Sequence, residues 1–233
     1  MPVSARKSNT ALRRERILDA ARKILSEDGY DSLTTRGLAE AAGVTVPTIY
    51  NLLGGKDNIL AALIEDGTAQ VWEQWTLPAN QASLQTVERW IDACHAVIGG
   101  DQAAMKAAVV ASSHQPGLFA VWEGDANAAP GPAWYAVDMA TQLCRALQDS
   151  GVLRGVIAAE ALGEQCFVCF RDSILDWGQG LISLAEFRRR FARGVFMLLC
   201  SDATETARQQ LIENINSLHV ADETSAVSAA GGA

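Results

Sequence analysis

The chain has 233 residues, 49% of them hydrophobic, and a formal net charge of -8. Length and apolar content suffice for a sizeable buried core, while no stretch reaches the ~18 consecutive apolar residues of a membrane span and the polar, basic start MPVSARKSNTALRRER lacks a secretory signal's apolar centre, so a cytoplasmic globular protein is expected. An acidic total speaks against a polyanionic partner, but the distribution does not: nine Lys and Arg face six Asp and Glu up to Lys56, leaving ten against twenty-one beyond it.

Residues 1–10 read as a disordered basic arm. From about Thr10 to Asp28, Ile17, Leu18, Ala21, Ile24 and Leu25 recur at helical spacing, and Gly29 stops the pattern. Arg13, Arg14 and Arg16 in its early turns oppose the helix dipole, which suits either a solvated face or an anionic neighbour.

The segment Leu33 to Lys56, LTTRGLAEAAGVTVPTIYNLLGGK, divides into two short helices and a turn. Thr34 suits an N-cap, Leu38, Ala39 and Ala42 form an inward face, and Gly43 supplies a left-handed turn that Val44 plugs from beneath. Thr45 is expected to cap the next helix, with Pro47 in its first turn where a missing amide hydrogen costs nothing. Ile49 and Leu52 or Leu53 then face inward, leaving Val46, Pro47, Thr48, Tyr50 and Asn51 outside. That mixture of methyl groups and hydrogen-bonding groups suits the DNA major groove. Gly54 and Gly55 end the helix, and Lys56 opens the next, where a cation beside free amides makes a phosphate clamp.

With the helix before it, this segment resembles the DNA-binding domain of the tetracycline-repressor (TetR) family, the likeness resting on TTRGLAEAAGV, the T-I-Y at residues 48–50 and Lys56, and covering about residues 11–65. The resemblance implies that Thr35 and Arg36 lie near phosphate and that Val46, Pro47 and Thr48 face the groove. It also implies that Tyr50 meets the backbone, that Lys56 touches phosphate, and that Asn51 is placed to pair with adenine. Leu52 to Gly55 depart from the usual pattern of an aromatic residue followed by polar or basic ones.

Further helices are expected over Lys56–Trp75, Ser83–Ile98, Gln102–Ser113, Pro132–Ser150, Ala159–Trp177 and Ser183–Leu218, the last open to interruption, with a short helix between loops in Gln115–Gly131. The expected fold is all-α: a helix-turn-helix domain at 11–56, a helical effector-binding and dimerisation domain at 57–217, and a disordered tail at 218–233. The resemblance implies that the last two long helices pair with a second subunit. The stripes Leu162, Cys166, Phe170, Ile174, Trp177 and Phe187, Phe191, Val195, Leu198 suit either that interface or an intramolecular core. A dimer would set two reading helices ~34 to 36 Å apart and require a near-palindromic operator.

Five tryptophans, Trp72, Trp75, Trp90, Trp122 and Trp134, fall where this family builds its ligand cavity. Trp90, His95, Trp122, Trp134 and Phe170 are the candidate contacts for an apolar or aromatic effector, with core packing as the competing reading. His114 and Met105 fall in the same region. Cys166 and Cys169 form an isolated C-x-x-C inside an apolar helix, where packing competes with a metal or redox role, and five cysteines in all give no disulfide framework. No nucleophile and base grouping or phosphate loop appears, so neither catalysis nor a cofactor or metal is expected. The expectation is a ligand-responsive regulator, most simply a repressor, that binds an operator as a dimer; the alternative is a helical carrier or enzyme with a vestigial helix-turn-helix.

Overall fold

A computed structural model of the chain describes residues 9–74, 81–100, 102–113 and 132–230. Ten α-helices run through these residues: α1 (Asn9–Asp28), α2 (Thr35–Ala41), α3 (Val46–Leu52), α4 (Lys56–Gln74), α5 (Leu84–Gly100), α6 (Gln102–Ser113), α7 (Pro132–Asp149), α8 (Ala159–Gly178), α9 (Leu184–Leu199) and α10 (Glu205–Ala230), with one 3-10 turn at Tyr30–Ser32. None is long and apolar enough to cross a membrane. Of the arm expected at 1–10, residues 9 and 10 open α1 instead, while 1–8 and the short helix expected within 115–131 lie outside the described residues.

Two buried clusters organise the helices. The first gathers Ile17, Leu18, Ala21 and Leu25 of α1, Leu33, Leu38 and Ala39, Ile49 of α3, and Ile59 to Ile64 of α4, with Ala108 of α6 closing it. It is aliphatic throughout. The second fills the larger body, where α8 packs against α7, α9 and α6. Here Trp90, Phe187 and Phe191 are buried beside half-buried Phe170: Trp90 meets Phe191 edge-on at 5.2 Å, and Phe170 meets Phe191 at 5.4 Å and Phe187 at 5.8 Å. Such edge contacts add about 0.5–1.5 kcal/mol each to the burial itself.

The close packing of α7 on α8 has one decisive position. A Cβ at Gly163 would lie 2.7 Å from the Thr141 backbone nitrogen and 2.8 Å from its Cα, so no larger residue fits without moving a helix.

Both stripes assigned from the sequence to α8 and α9 belong to this core: Leu162, Cys166, Ile174, Trp177, Phe187, Phe191 and Val195 are buried within it, and Phe170 and Leu198 pack against it. Of the two readings left open for these residues, intramolecular packing is the one that the structure realises.

The span expected from Ser183 to Leu218 is broken into α9 and α10, although no Gly or Pro marks the break. Asp202 is the cause. Fully buried between the two helices, its carboxylate accepts the amides of Gly155 at 2.9 Å, Val156 at 2.9 Å and Ile157 at 3.3 Å. Its backbone carbonyl takes the Arg154 amide at 2.7 Å, and Thr204 donates its amide to Val152 at 3.1 Å. The loop after α7 is thereby sewn to the turn before α10, and those bonds replace the helical ones that a continuous helix would make. The far end also differs from expectation: α10 continues to Ala230, well past Ser217. Residues 218–230 are rich in alanine, the strongest helix former, and the next glycine is Gly231.

Candidate nucleic-acid interface

The turn between α2 and α3 is built as its residues dictate. Thr34 is extended and its hydroxyl accepts the Gly37 amide at 3.1 Å, which caps α2. The helix ends in a chain of tightening bonds: the amides of Ala42, Gly43 and Val44 donate to the carbonyls of Leu38, Glu40 and Ala39. Gly43 sits at φ +61, the left-handed conformation that the reversal needs and that costs a residue with a Cβ about 1 kcal/mol or more. Val44 then packs against the aliphatic core beneath.

Arg16 completes the turn from outside. Its guanidinium reaches across from α1 and donates to the carbonyls of Ala42 at 2.9 Å and Gly43 at 3.4 Å. Those are the unpaired acceptors at the end of α2, so a cation there satisfies both the hydrogen-bond deficit and the helix dipole. Along the sequence Arg16 is one of three arginines in the early turns of α1, and its partner lies 26 residues away, beyond any local pattern.

In α3 the buried anchor is Ile49, at 0% exposure, with Val46, Leu52 and Leu53 half-buried against the same core. Pro47 and Asn51 are exposed, Tyr50 is 55% exposed, and Thr48 is half-buried at the rim. These residues therefore share one outward surface, with Val46 at its inner edge. Thr45 departs from expectation, since its side chain makes no bond to an amide of α3. Pro47 offers no amide hydrogen, and the Thr48 amide already donates to the Thr45 carbonyl at 2.9 Å. The Thr45 hydroxyl turns instead to the Thr48 hydroxyl, 2.8 Å away.

Thr35 and Arg36 open α2, the first half-buried and the second exposed. Lys56 opens α4, where its ammonium donates to the Tyr30 carbonyl at 2.8 Å and lies 3.6 Å over the Tyr30 ring. The dipole penalty of a lysine at a helix start is thus met by a carbonyl and a ring face, and two of the three ammonium hydrogens remain for another acceptor. A tyrosine three residues before a leucine carries no signal along the sequence until the 3-10 turn brings Tyr30 beneath Lys56. A further link, the Arg22–Asp66 ion pair, joins α1 to α4.

Of the candidate effector contacts, Trp90 and Phe170 converge on the Phe191 ring, and the Trp90 indole donates to the Met139 sulfur at 3.1 Å. His95 is half-buried on α5. Trp122 and the side chains of Trp72, Trp75 and Trp134 lie outside the described residues, as does His114. The C-x-x-C lies on α8 with Cys166 inside the core. The Cys166 thiol is pushed well up, first by its hydrogen bond to Cys144 and then by burial. Burial pushes Cys169 up too, seconded by the nearby Asp172 carboxylate. A reactive pair needs the opposite, a lowered thiol. No group of three or more His, Cys, Asp or Glu residues that could hold a metal ion occurs among the described residues.

A profile described as bacterial regulatory proteins, tetR family, matches residues 17–63, from the buried start of α1 to the core-facing start of α4. The tetracycline repressor protein class D of Escherichia coli is 40% identical over 78 residues, 34% of this chain and 35% of that protein. The HTH-type transcriptional repressor AcnR of Corynebacterium glutamicum is 37% identical over 60 residues, 26% of this chain and 32% of that one. The chain thus matches only about a third of the length of these curated relatives, and in each the match is to a short segment. Over the whole fold, the crystal structure of a TetR-family transcriptional regulator from Pectobacterium atrosepticum superposes with a TM-score of 0.58 at 21% identity, covering 85% of this chain and 98% of that one. Residues 17–63 thus match the tetR family of bacterial regulatory proteins in sequence, and the chain as a whole is similar in fold to a solved TetR-family regulator.

Proposed function

We propose that the chain is a ligand-responsive transcriptional regulator, most simply a repressor, that binds a near-palindromic DNA operator as a homodimer. The observation that carries this reading is the surface of α3, where Pro47, Thr48, Tyr50 and Asn51 are turned outward while Ile49 is buried without remainder. Methyl and amide groups on one face match what base edges present in the major groove. Arg36 and Lys56 flank that face from α2 and α4 and supply cations for phosphate, which Thr35 and Tyr50 approach as hydrogen-bonding partners.

A seven-residue helix spans only about 10 Å, a few base pairs of groove, so a second copy is what gives the site length and symmetry. Similarity to a tetracycline repressor protein and to a transcriptional repressor supports a role in repression. For the effector we assign an apolar or aromatic molecule, with Trp90, His95, Trp122, Trp134 and Phe170 as its candidate contacts. Effector binding would favour a body conformation whose two reading helices no longer match the operator, a coupling of about 1–3 kcal/mol in proteins that work this way.

Selection of bound duplexes from a random pool tests the reading. Recovery of an inverted repeat whose affinity falls steeply with salt supports it; retention of no duplex at low salt overturns it. Replacement of Tyr50 or Lys56 by Ala is expected to weaken all duplexes, whereas changes at Thr48 or Asn51 shift which sequence is preferred.

A further inference from the structure

Two threonines stand immediately before two short helices of the same domain, and they are used differently. Thr34 spends its hydroxyl on the Gly37 amide, as a cap does. Thr45 has no amide to accept from, because Pro47 lacks one and that of Thr48 is taken by the Thr45 carbonyl, and its hydroxyl lies 2.8 Å from that of Thr48. The pair is exposed on one side and half-buried on the other.

A threonine hydroxyl holds one hydrogen and two lone pairs. Two of them in contact place one hydrogen between the oxygens and keep a single hydrogen to offer outward, so the pair acts as one oriented group. Seating the Thr48 oxygen toward Thr45 also settles the staggered position of the Thr48 methyl. A lone threonine there would divide between the two χ1 rotamers open to it in a helix, which carry its hydroxyl and methyl in different directions.

We infer that Thr45 is a positioning residue for sequence reading: it clasps the Thr48 hydroxyl, so that the base preference expressed through Thr48 depends on a neighbour that need not touch the base. This rests on the regulatory reading above, in which Thr48 faces the groove, and adds to it a second determinant of specificity.

The test uses the full chain and the duplex selected by the wild type. Each half-site position is varied in turn, and competition binding is measured for the wild type, T45S, T45V, T48V and the double variant T45V/T48V. T45S, which keeps the hydroxyl, is expected to retain the wild-type preference. T45V, which keeps the shape, is expected to lose about 2- to 10-fold discrimination, the worth of one neutral hydrogen bond, at the same position as T48V. The double variant is expected to match T48V alone, and T45V is expected to keep the wild-type affinity for unrelated duplex and its salt dependence. In the free protein, methyl couplings in nuclear magnetic resonance should report one Thr48 rotamer for the wild type and T45S, and averaging for T45V; this readout needs no DNA and shows that T45V is folded. Undiminished discrimination by T45V, a loss at a different position from T48V, or full additivity in the double variant each overturns the inference while leaving the regulatory reading intact. A wild type that selects no duplex overturns both.

Discussion

The two cores hold their helices by different means. Around α1 to α4 the buried residues are aliphatic and small, from Ile17, Leu18 and Ala21 to Leu38, Ala39 and Ile49. In the body, Trp90, Phe187 and Phe191 are buried and joined ring against ring. Two of the N-terminal helices, α2 and α3, have only seven residues each, so their placement leans on directional bonds: the Thr34 hydroxyl, the Arg16 guanidinium on two carbonyls, and the Lys56 ammonium on Tyr30. In the body, ring-to-ring contacts add about 0.5–1.5 kcal/mol each to burial, and orientation follows from shape. The N-terminal domain is thus positioned by polar groups that a substitution removes singly, and the body by packing that yields only to a cavity.

The largest effect expected from that contrast is at Phe191. Phe191→Ala removes the ring on which Trp90, Phe170 and Phe187 converge and should cost about 3–5 kcal/mol in denaturant unfolding; a cost below about 1 kcal/mol would show that the body does not depend on its ring cluster. Asp202→Ala comes next, because it removes the buried carboxylate that accepts the amides of Gly155, Val156 and Ile157. About 2–3 kcal/mol is expected, with amide hydrogen exchange accelerated first at 155–157. Here the body too relies on a directional group, and an unaltered exchange rate would confine that device to the N-terminal domain.

Smaller effects separate the two threonines. Thr34→Ala should destabilise by about 1 kcal/mol, the usual worth of a capping hydroxyl, whereas Thr45→Ala should cost less, since no amide depends on it; equal losses in thermal unfolding would contradict the assigned bonding. Lys56→Ala should reduce the slope of log affinity against log salt by about 1 and weaken all duplexes alike. An unchanged slope would mean that the ammonium serves Tyr30 and nothing beyond it. Last is an expected absence of effect. With its thiol held protonated, Cys166 should remain unalkylated at pH 8 in the folded protein and be modified after denaturation, and prompt labelling of the native chain would reopen a redox role for the C-x-x-C.

Most of the interface was legible along the chain because its signals are local. A cap and its amide lie three residues apart, Gly43 must follow Ala42 for the turn to close, and the inward faces of α2 and α3 recur at helical spacing. At Thr45 the capping rule failed: Pro47 offers no amide two residues on, and the Thr48 amide, three residues on, donates to the Thr45 carbonyl instead. Arg16, Tyr30 and Asp202 carried no comparable signal, because each acts on a partner 26 or more residues distant.

The order of the amino acids by itself determined that the chain is helical, that a turn with a left-handed glycine joins two short helices near the N-terminus, and which side of the second faces outward. These follow from hydrophobic spacing and backbone sterics, which act over one or two turns. Tertiary structure alone decided that the stripes of α8 and α9 close on each other and on α7, that a buried carboxylate divides α9 from α10, and that Lys56 rests on Tyr30. Those outcomes depend on which surfaces compete for burial and which polar groups meet once the helices are packed, and neither quantity is written in any single stretch of sequence.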